Sequence, residues 1–179
     1  MRKIVHRVFW AWSSEKEEKW LNRMAAQGLC LVSYGFCRYE FEECLPGEYE
    51  IRIELLEHNP CHPVSQQYIS FLEETGAEQV GSWCRWVYFR KKTDAGRFEL
   101  FSDRPSRIQH LNRILRLIGV VGGLNLWVGG YNIFLALLWD HSFNLVGIFN
   151  LALGALSAVG FAKIFKQKQR LKKELTLFE

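Results

Sequence analysis

Two rhythms run along the first half of the chain. From Tyr49 to Leu55 apolar and polar residues alternate, with Tyr49, Ile51, Ile53 and Leu55 on one side and Glu50, Arg52 and Glu54 on the other. A period of two predicts an antiparallel strand with one wet face. The stretch E-K-E-E-K-W-L-N-R-M-A-A-Q-G instead places Trp20, Leu21, Met24 and Ala25 on one helical face and stops at Gly28, a residue able to close a helix in the left-handed conformation. Ser13 or Ser14, followed by Glu17 or Glu18, predicts a capping-box start for that helix. R-V-F-W predicts a short first strand, L-C-L-V-S-Y and F-C-R-Y-E-F-E-E two further strands, V-S-Q-Q-Y-I-S-F-L-E-E-T-G a second helix, and Q-V-G-S-W-C-R-W-V-Y-F-R-K-K a last strand pair. The order helix, glycine, strand, strand occurs twice, because Trp20, Leu21, Met24 and Gly28 recur as Tyr68, Ile69, Leu72 and Gly76 at an offset of 48. The expectation is an α+β domain over residues 1–92, an antiparallel sheet with two helices on one face, built from a duplicated unit.

The pattern changes after residue 116. Leu117–Leu138 is a run of 22 uncharged residues and Leu145–Ala162 a run of 18, with Asp140 and His141 in the six-residue turn between them. A bilayer crossing needs about 20 apolar residues, so both runs predict membrane spans, a hairpin over about 114–165. Five glycines in the first run would each cost about 1 kcal/mol in a soluble helix, whereas small residues let membrane helices approach closely. Gly119 and Gly123 form a GxxxG pair, Gly154 and Ala158 a small pair on the second run, and Asn125, Asn132 and Asn150 are polar groups able to meet across the hairpin. These predict close packing, against the second span or a second copy of the chain as a homodimer.

Composition is close to the globular average, with 49% apolar and 23% charged residues, but the net charge of +4 is unevenly placed. Arg107, Arg113 and Arg116 precede the first run, Lys163 and Lys166 follow the second, and the turn carries no Lys or Arg. The positive-inside rule then predicts both termini in the cytoplasm, with these residues and Trp139 at the membrane interfaces. Residues 93–113 are expected to be a linker and a basic amphipathic helix that either lies on the lipid bilayer or continues the first span, and 166–179 a basic tail. The five cysteines lack a Cys-x-x-Cys pair, and no secretory signal precedes them, which predicts reduced thiols.

Candidate chemistry is sparse. His58, Cys61 and His62 in H-N-P-C-H-P are the nearest approach to a metal cluster, but adjacent Cys61 and His62 point apart and no second pair follows at zinc-site spacing, so no metal or other cofactor is expected. No phosphate-binding loop, dinucleotide fingerprint or nucleophile elbow is present. The aromatic density is high, and Trp83, Trp86 and Tyr88 on the last strand pair are candidates for a protein-binding surface. Acidic residues around them, among them Glu40, Glu42, Glu43 and Glu50, argue against nucleic acid.

The run F-W-A-W-S-S-E-K-E-E-K-W-L-N-R-M-A-A-Q-G-L-C-L-V, then P-G-E-Y and V-G-S-W-C-R-W-V-Y-F-R-K-K, resembles the bacterial domain-of-unknown-function family 2812 over roughly residues 5–92, with one departure at Gly76-Ala77. The resemblance implies a short cytosolic domain followed by transmembrane helices, often encoded beside a PadR-type transcriptional regulator in Gram-positive bacteria. It implies no catalytic residues. The function expected is a non-enzymatic, membrane-anchored regulatory or sensory protein whose cytosolic domain binds a protein or small ligand. The alternatives are an accessory subunit of a membrane complex such as a transporter, and an enzyme with an unrecognised site.

Overall fold

The computed structural model describes residues 2–96, 98, 100, 104–138 and 145–176. They form two compact units, Met1–Ser106 and Arg107–Glu179.

The first unit is a six-stranded sheet with two helices. In chain order it runs β1 (Lys3–His6), α1 (Ser14–Ala26), β2 (Leu29–Gly35), β3 (Arg38–Glu43), β4 (Tyr49–Leu55), α2 (Pro63–Glu74), β5 (Ala77–Trp83) and β6 (Trp86–Lys92). The strands lie in the order β1-β3-β2-β5-β6-β4. Each half of the chain therefore contributes one β-α-β-β unit whose first strand pairs with its third, Lys3 opposite Phe41 in one and Tyr49 opposite Lys92 in the other. Gly28 and Gly76 end the two helices at φ +81° and +86°, so the duplication seen at an offset of 48 is a duplication of structure.

Two details differ from the sequence expectation. The sheet is mixed, because the halves meet through a parallel pair, Tyr34 beside Gly81. The helices also lie on opposite faces. Tyr88 on β6 bonds to Glu17 of α1, while its neighbours Val87 and Phe89 pack with Ile69 and Leu72 of α2, and adjacent strand residues point to opposite faces. The reason is geometric: two units related by a rotation axis along a shared parallel pair must exchange faces. Glu54, expected on a wet face, is consequently buried under α2, where Tyr68 Oη donates to its Oε2 at 2.6 Å.

α1 also protects an edge. Asn22 accepts from the Ile51 amide at 2.8 Å and donates to the Ile51 carbonyl at 2.9 Å, and Glu18 Oε2 accepts from the Ile53 amide at 3.2 Å. These are the free edge groups of β4, which an exposed sheet would offer to another strand. The same helix bonds to Tyr39 on β3, four strands away, about 19 Å in a flat sheet and more than the 10–12 Å width of a helix. The sheet curls around α1. Leu21, Leu31, Phe41 and Ile51 fill the concave core with no exposed surface, each contributing about 1.5–3 kcal/mol.

Local corrections follow from the same packing. The first strand falls at residues 3–6, ahead of Arg7–Trp10, which lead into a 3-10 turn before α1. Ser13 makes no side-chain cap, because Glu17 turns into the core and Glu18 pairs with Arg52 at 2.9 Å. Cys30 and Cys44 are joined in a disulfide with Cα atoms 5.9 Å apart, whereas Cys37, Cys61 and Cys84 are free. The start of β2 faces the residue after β3 across the hairpin, a relation the spacing in sequence conceals. The unit also runs past residue 92, since Phe98 is buried in the α2 cluster.

The second unit holds most of α3 (Arg104–Leu138) and all of α4 (Leu145–Thr176). Pro105–Leu138 and Leu145–Glu174 are long and apolar enough to cross a membrane. At 1.5 Å per residue α3 is about 52 Å long and α4 about 48 Å, well beyond a hydrocarbon core of about 30 Å. Residues 105–116 belong to the same continuous helix as the first apolar run. The helices pack antiparallel: Gly122 lies against Ser157, Gly129 against Leu151, Leu126 against Gly154, and Ile133 against Gly147. Leu124, Trp127, Leu137, Phe149 and Val159 are exposed on their outer surfaces.

Candidate ligand-binding cleft

The concave face of the first unit opens into a cleft of about 90 Å³. Its floor is Glu17 on the first turns of α1, and its walls are Tyr39 on β3, Tyr34 on β2, and Trp86 and Tyr88 on β6. Arg7, Phe9 and Trp10 from the segment before α1, Phe36 and Cys37 from the β2–β3 turn, and Trp83 at the end of β5 complete the rim. Both halves of the duplication contribute, so the cleft sits where they join.

Glu17 is 6% exposed. Its Oε1 accepts from Tyr39 Oη at 2.6 Å and Tyr88 Oη at 2.5 Å. Oε2 has no hydrogen-bond partner among the described residues, and no described cation lies within ion-pair distance of the carboxylate. Burial pushes the Glu17 carboxyl above its ordinary range, and the two phenol donors pull it partway back. Burial, and then the negative charge of Glu17, push Tyr39 and Tyr88 upward, so both remain protonated donors. Burying an unpaired carboxylate costs several kcal/mol, and two hydrogen bonds to a charged group return about 1.5–3 kcal/mol each. Glu17 is therefore no clear gain for stability. The second half shows that the fold does not need it: the equivalent position, 48 residues on, is Ser65, also buried, with Oγ donating to the His58 carbonyl at 3.2 Å.

Aromatic rings surround this group. Tyr34 stacks on Tyr88 at 3.7 Å, Trp20 meets Tyr39 edge-on at 5.0 Å, and Phe36 packs on Trp83 at 4.7 Å. Gly81 makes the first of these possible, because a Cβ there would lie 2.7 Å from the Tyr34 carbonyl oxygen. The Arg7 guanidinium lies 4.9 Å from the ring centres of both Phe9 and Trp20.

Trp83, Trp86 and Tyr88 come together, as one wall of this cleft, but not as the exposed patch expected. Trp86 and Tyr88 are buried and only Trp83 is exposed, because β6 is an interior strand and this face of it lies against α1. His58 and His62 stack at 4.2 Å, and His62 Nδ1 accepts from the Val64 amide to cap α2, leaving Cys61 exposed beside them. Among the described residues no three His, Cys, Asp or Glu side chains gather as a metal site would require.

The helix-packing residues divide. Gly154 is buried and a Cβ added at Gly119 would lie 3.5 Å from Phe161, but one added at Gly123 would meet nothing within 4 Å, and Ala158 is exposed. Antiparallel helices meet along positions seven apart, here Gly122 with Gly129 and Gly147 with Gly154, and Gly123 is turned about 100° away from Gly122. Asn125, Asn132 and Asn150 each donate Nδ2 to the carbonyl four residues back, at 2.8, 2.8 and 2.9 Å. Arg107, Arg116, Lys163 and Lys166 are exposed and Arg113 is half-buried. Trp139 and the rest of the turn, 139–144, lie outside the described residues.

Sequence reasoning missed Glu17. A carboxylate three or four residues after serine is a helix-start signal, and nothing local reveals that two distant tyrosines converge on it. A model of a family described as a protein of unknown function (DUF2812) matches residues 13–122, which includes α1, the whole sheet after β1, and the start of α3. No curated protein and no solved structure matches the chain.

Proposed function

The chain belongs to the DUF2812 family, whose description assigns no activity, and from that premise we propose that it is a non-enzymatic, membrane-anchored ligand-binding module of regulatory or sensory type. The observation that carries this reading is the buried carboxylate at the floor of an aromatic cleft, of no clear benefit to stability and open along one oxygen. Binding pockets are concave and mostly apolar, with a few polar groups that fix orientation, and this cleft has that make-up. Phenols held protonated by burial suit recognition better than proton transfer.

The apolar outer surfaces of α3 and α4 support anchoring in a bilayer, and the basic residues that flank both apolar runs support a cytosolic position for the cleft. A protein partner, such as a PadR-type transcriptional regulator, would read the ligand-bound state. The test is a thermal-shift screen of the full chain in detergent against a chemically diverse set of small molecules. Ala11 also lines the cleft, and Ala11→Trp, designed to fill it, serves as the control. Compounds that stabilise the native chain and not the variant are expected; no stabilising compound, or equal shifts in both, would overturn the reading.

A further inference from the structure

Resting on the reading of the cleft as a binding site, the geometry points to a compact organic cation as its ligand class: a quaternary ammonium or similar head seated on Glu17 and enclosed by aromatic faces. Three observations converge. The first is charge. Glu17 is buried with no described cation within ion-pair distance, and its Oε2 has no protein partner among the described residues. A buried carboxylate that stays unpaired in the free protein is most strongly relieved by a cation supplied from outside.

The second is the wall. Tyr34, Tyr88 and Trp86 line the cleft with Glu17, and the negative face of an aromatic ring attracts cations within about 6 Å. The chain already makes this interaction at the same cleft, where the Arg7 guanidinium lies over Phe9 and Trp20. Arg7 makes no ion pair with Glu17, so it leaves the carboxylate free. The third is size. A volume of about 90 Å³ is smaller than the roughly 150 Å³ cavity that takes benzene. A trimethylammonium head, about as large as benzene, would therefore enter it only in part, with the rest of the ligand passing between the exposed rings of Trp10, Phe36 and Trp83. Two phenols fixed on Oε1 leave little room for an ammonium's N–H donors to bond at that oxygen. Oε2 is left to meet the charge, and a permethylated or delocalised head, which needs no acceptor, is the simplest probe of that attraction.

The experiment uses the full chain in detergent and follows tryptophan fluorescence, with choline and its neutral isostere 3,3-dimethylbutan-1-ol as probes. Choline is expected to bind at least tenfold more tightly than the isostere. Glu17→Gln, which keeps an acceptor for both phenols, should remove that preference without unfolding the domain. Trp83→Ala, at an exposed ring, should weaken choline about three- to fivefold, the exposed cation–π range. Should Glu17→Gln fail to fold, the choline preference and the Trp83→Ala loss still decide the matter. Equal binding of the two probes, or choline binding unchanged in Glu17→Gln, overturns the cation assignment while leaving a binding cleft. Binding of neither probe also overturns it, and the diverse screen with Ala11→Trp then reports whether the cleft binds another class.

Discussion

Replacing Gly81 with alanine tests the join between the two halves. The backbone of β5 passes so close to β2 that the new Cβ would lie 2.7 Å from the Tyr34 carbonyl oxygen and 2.9 Å from both its Cβ and its amide nitrogen. Ordinary contact begins at 3.4 Å, so the strands must part by the difference, about 0.7 Å, and the obstructing atoms are mostly backbone, which cannot rotate away. Overpacking of a tight core site costs about 1–3 kcal/mol, and the rigid neighbour places Gly81→Ala at the upper end of that range. For a domain of roughly 100 residues each kcal/mol moves the midpoint about 4–8 °C, so a fall of about 10–20 °C is expected. Gly35→Ala is the control, because its Cβ would meet nothing within 4 Å and its backbone is not left-handed. Thermal unfolding of the full chain in detergent, followed by tryptophan fluorescence, reads both. Equal midpoints for the two variants would refute the close approach of β2 and β5.

Three further outcomes are expected. Gly129→Leu should loosen the α3–α4 pair and lower the midpoint of helical ellipticity in detergent, because a Cβ there already lies 2.8 Å from Leu151 Cγ, whereas Gly123→Leu, with open space around it, should leave the midpoint unchanged. A disulfide closing a loop of 14 residues contributes about 3 kcal/mol, so a reductant should lower the midpoint of the wild type and not of the Cys30→Ala/Cys44→Ala double variant; no effect on the wild type would mean that the pair is not bonded. Since burial raises the Glu17 carboxyl above its ordinary value of 4.5, its favourable linkage contribution is fully present below that value and is lost as pH rises through the folded one. The stability of the wild type relative to Glu17→Gln should therefore grow as pH falls, and a difference that shrinks would reverse the assigned cause.

The elements were largely legible because their signals are local. Alternation exposed β4, helical spacing exposed α1 and α2, and uncharged length exposed the apolar parts of α3 and α4. The duplication was legible through Gly28 and Gly76, since each must take the left-handed conformation that ends its helix. The relation between the halves was not. A period of two says which residues of a strand share a face, but not which side of the sheet that face occupies, and that depends on a parallel pair formed by Tyr34 and Gly81. Which glycines of α3 face α4 was not legible for a similar reason: Gly122/Gly129 and Gly123/Gly130 are two stripes of the same spacing, and only the glycines of α4 at 147 and 154 reveal a partner stripe seven apart. Glu17 was hidden by its own plausibility as a capping residue. The one sequence signal for it was the offset itself, which pairs an acid at 17 with a serine at 65 and so marks a place where the halves differ in chemistry.

The central claim, that the Glu17 cleft receives an organic cation, can be tested most directly through a thiol the chain already carries. Cys37 is free, half-buried and part of the cleft rim, while Cys61 is free and exposed in the loop before α2, away from the cleft. The alkylation rates of both, measured by mass spectrometry on the full chain in detergent with and without saturating benzyltrimethylammonium, report cleft occupancy with an internal reference. The account predicts that the cation slows Cys37 severalfold, leaves Cys61 unchanged, and loses this effect in Glu17→Gln. Equal rates at Cys37 with and without the cation would contradict it.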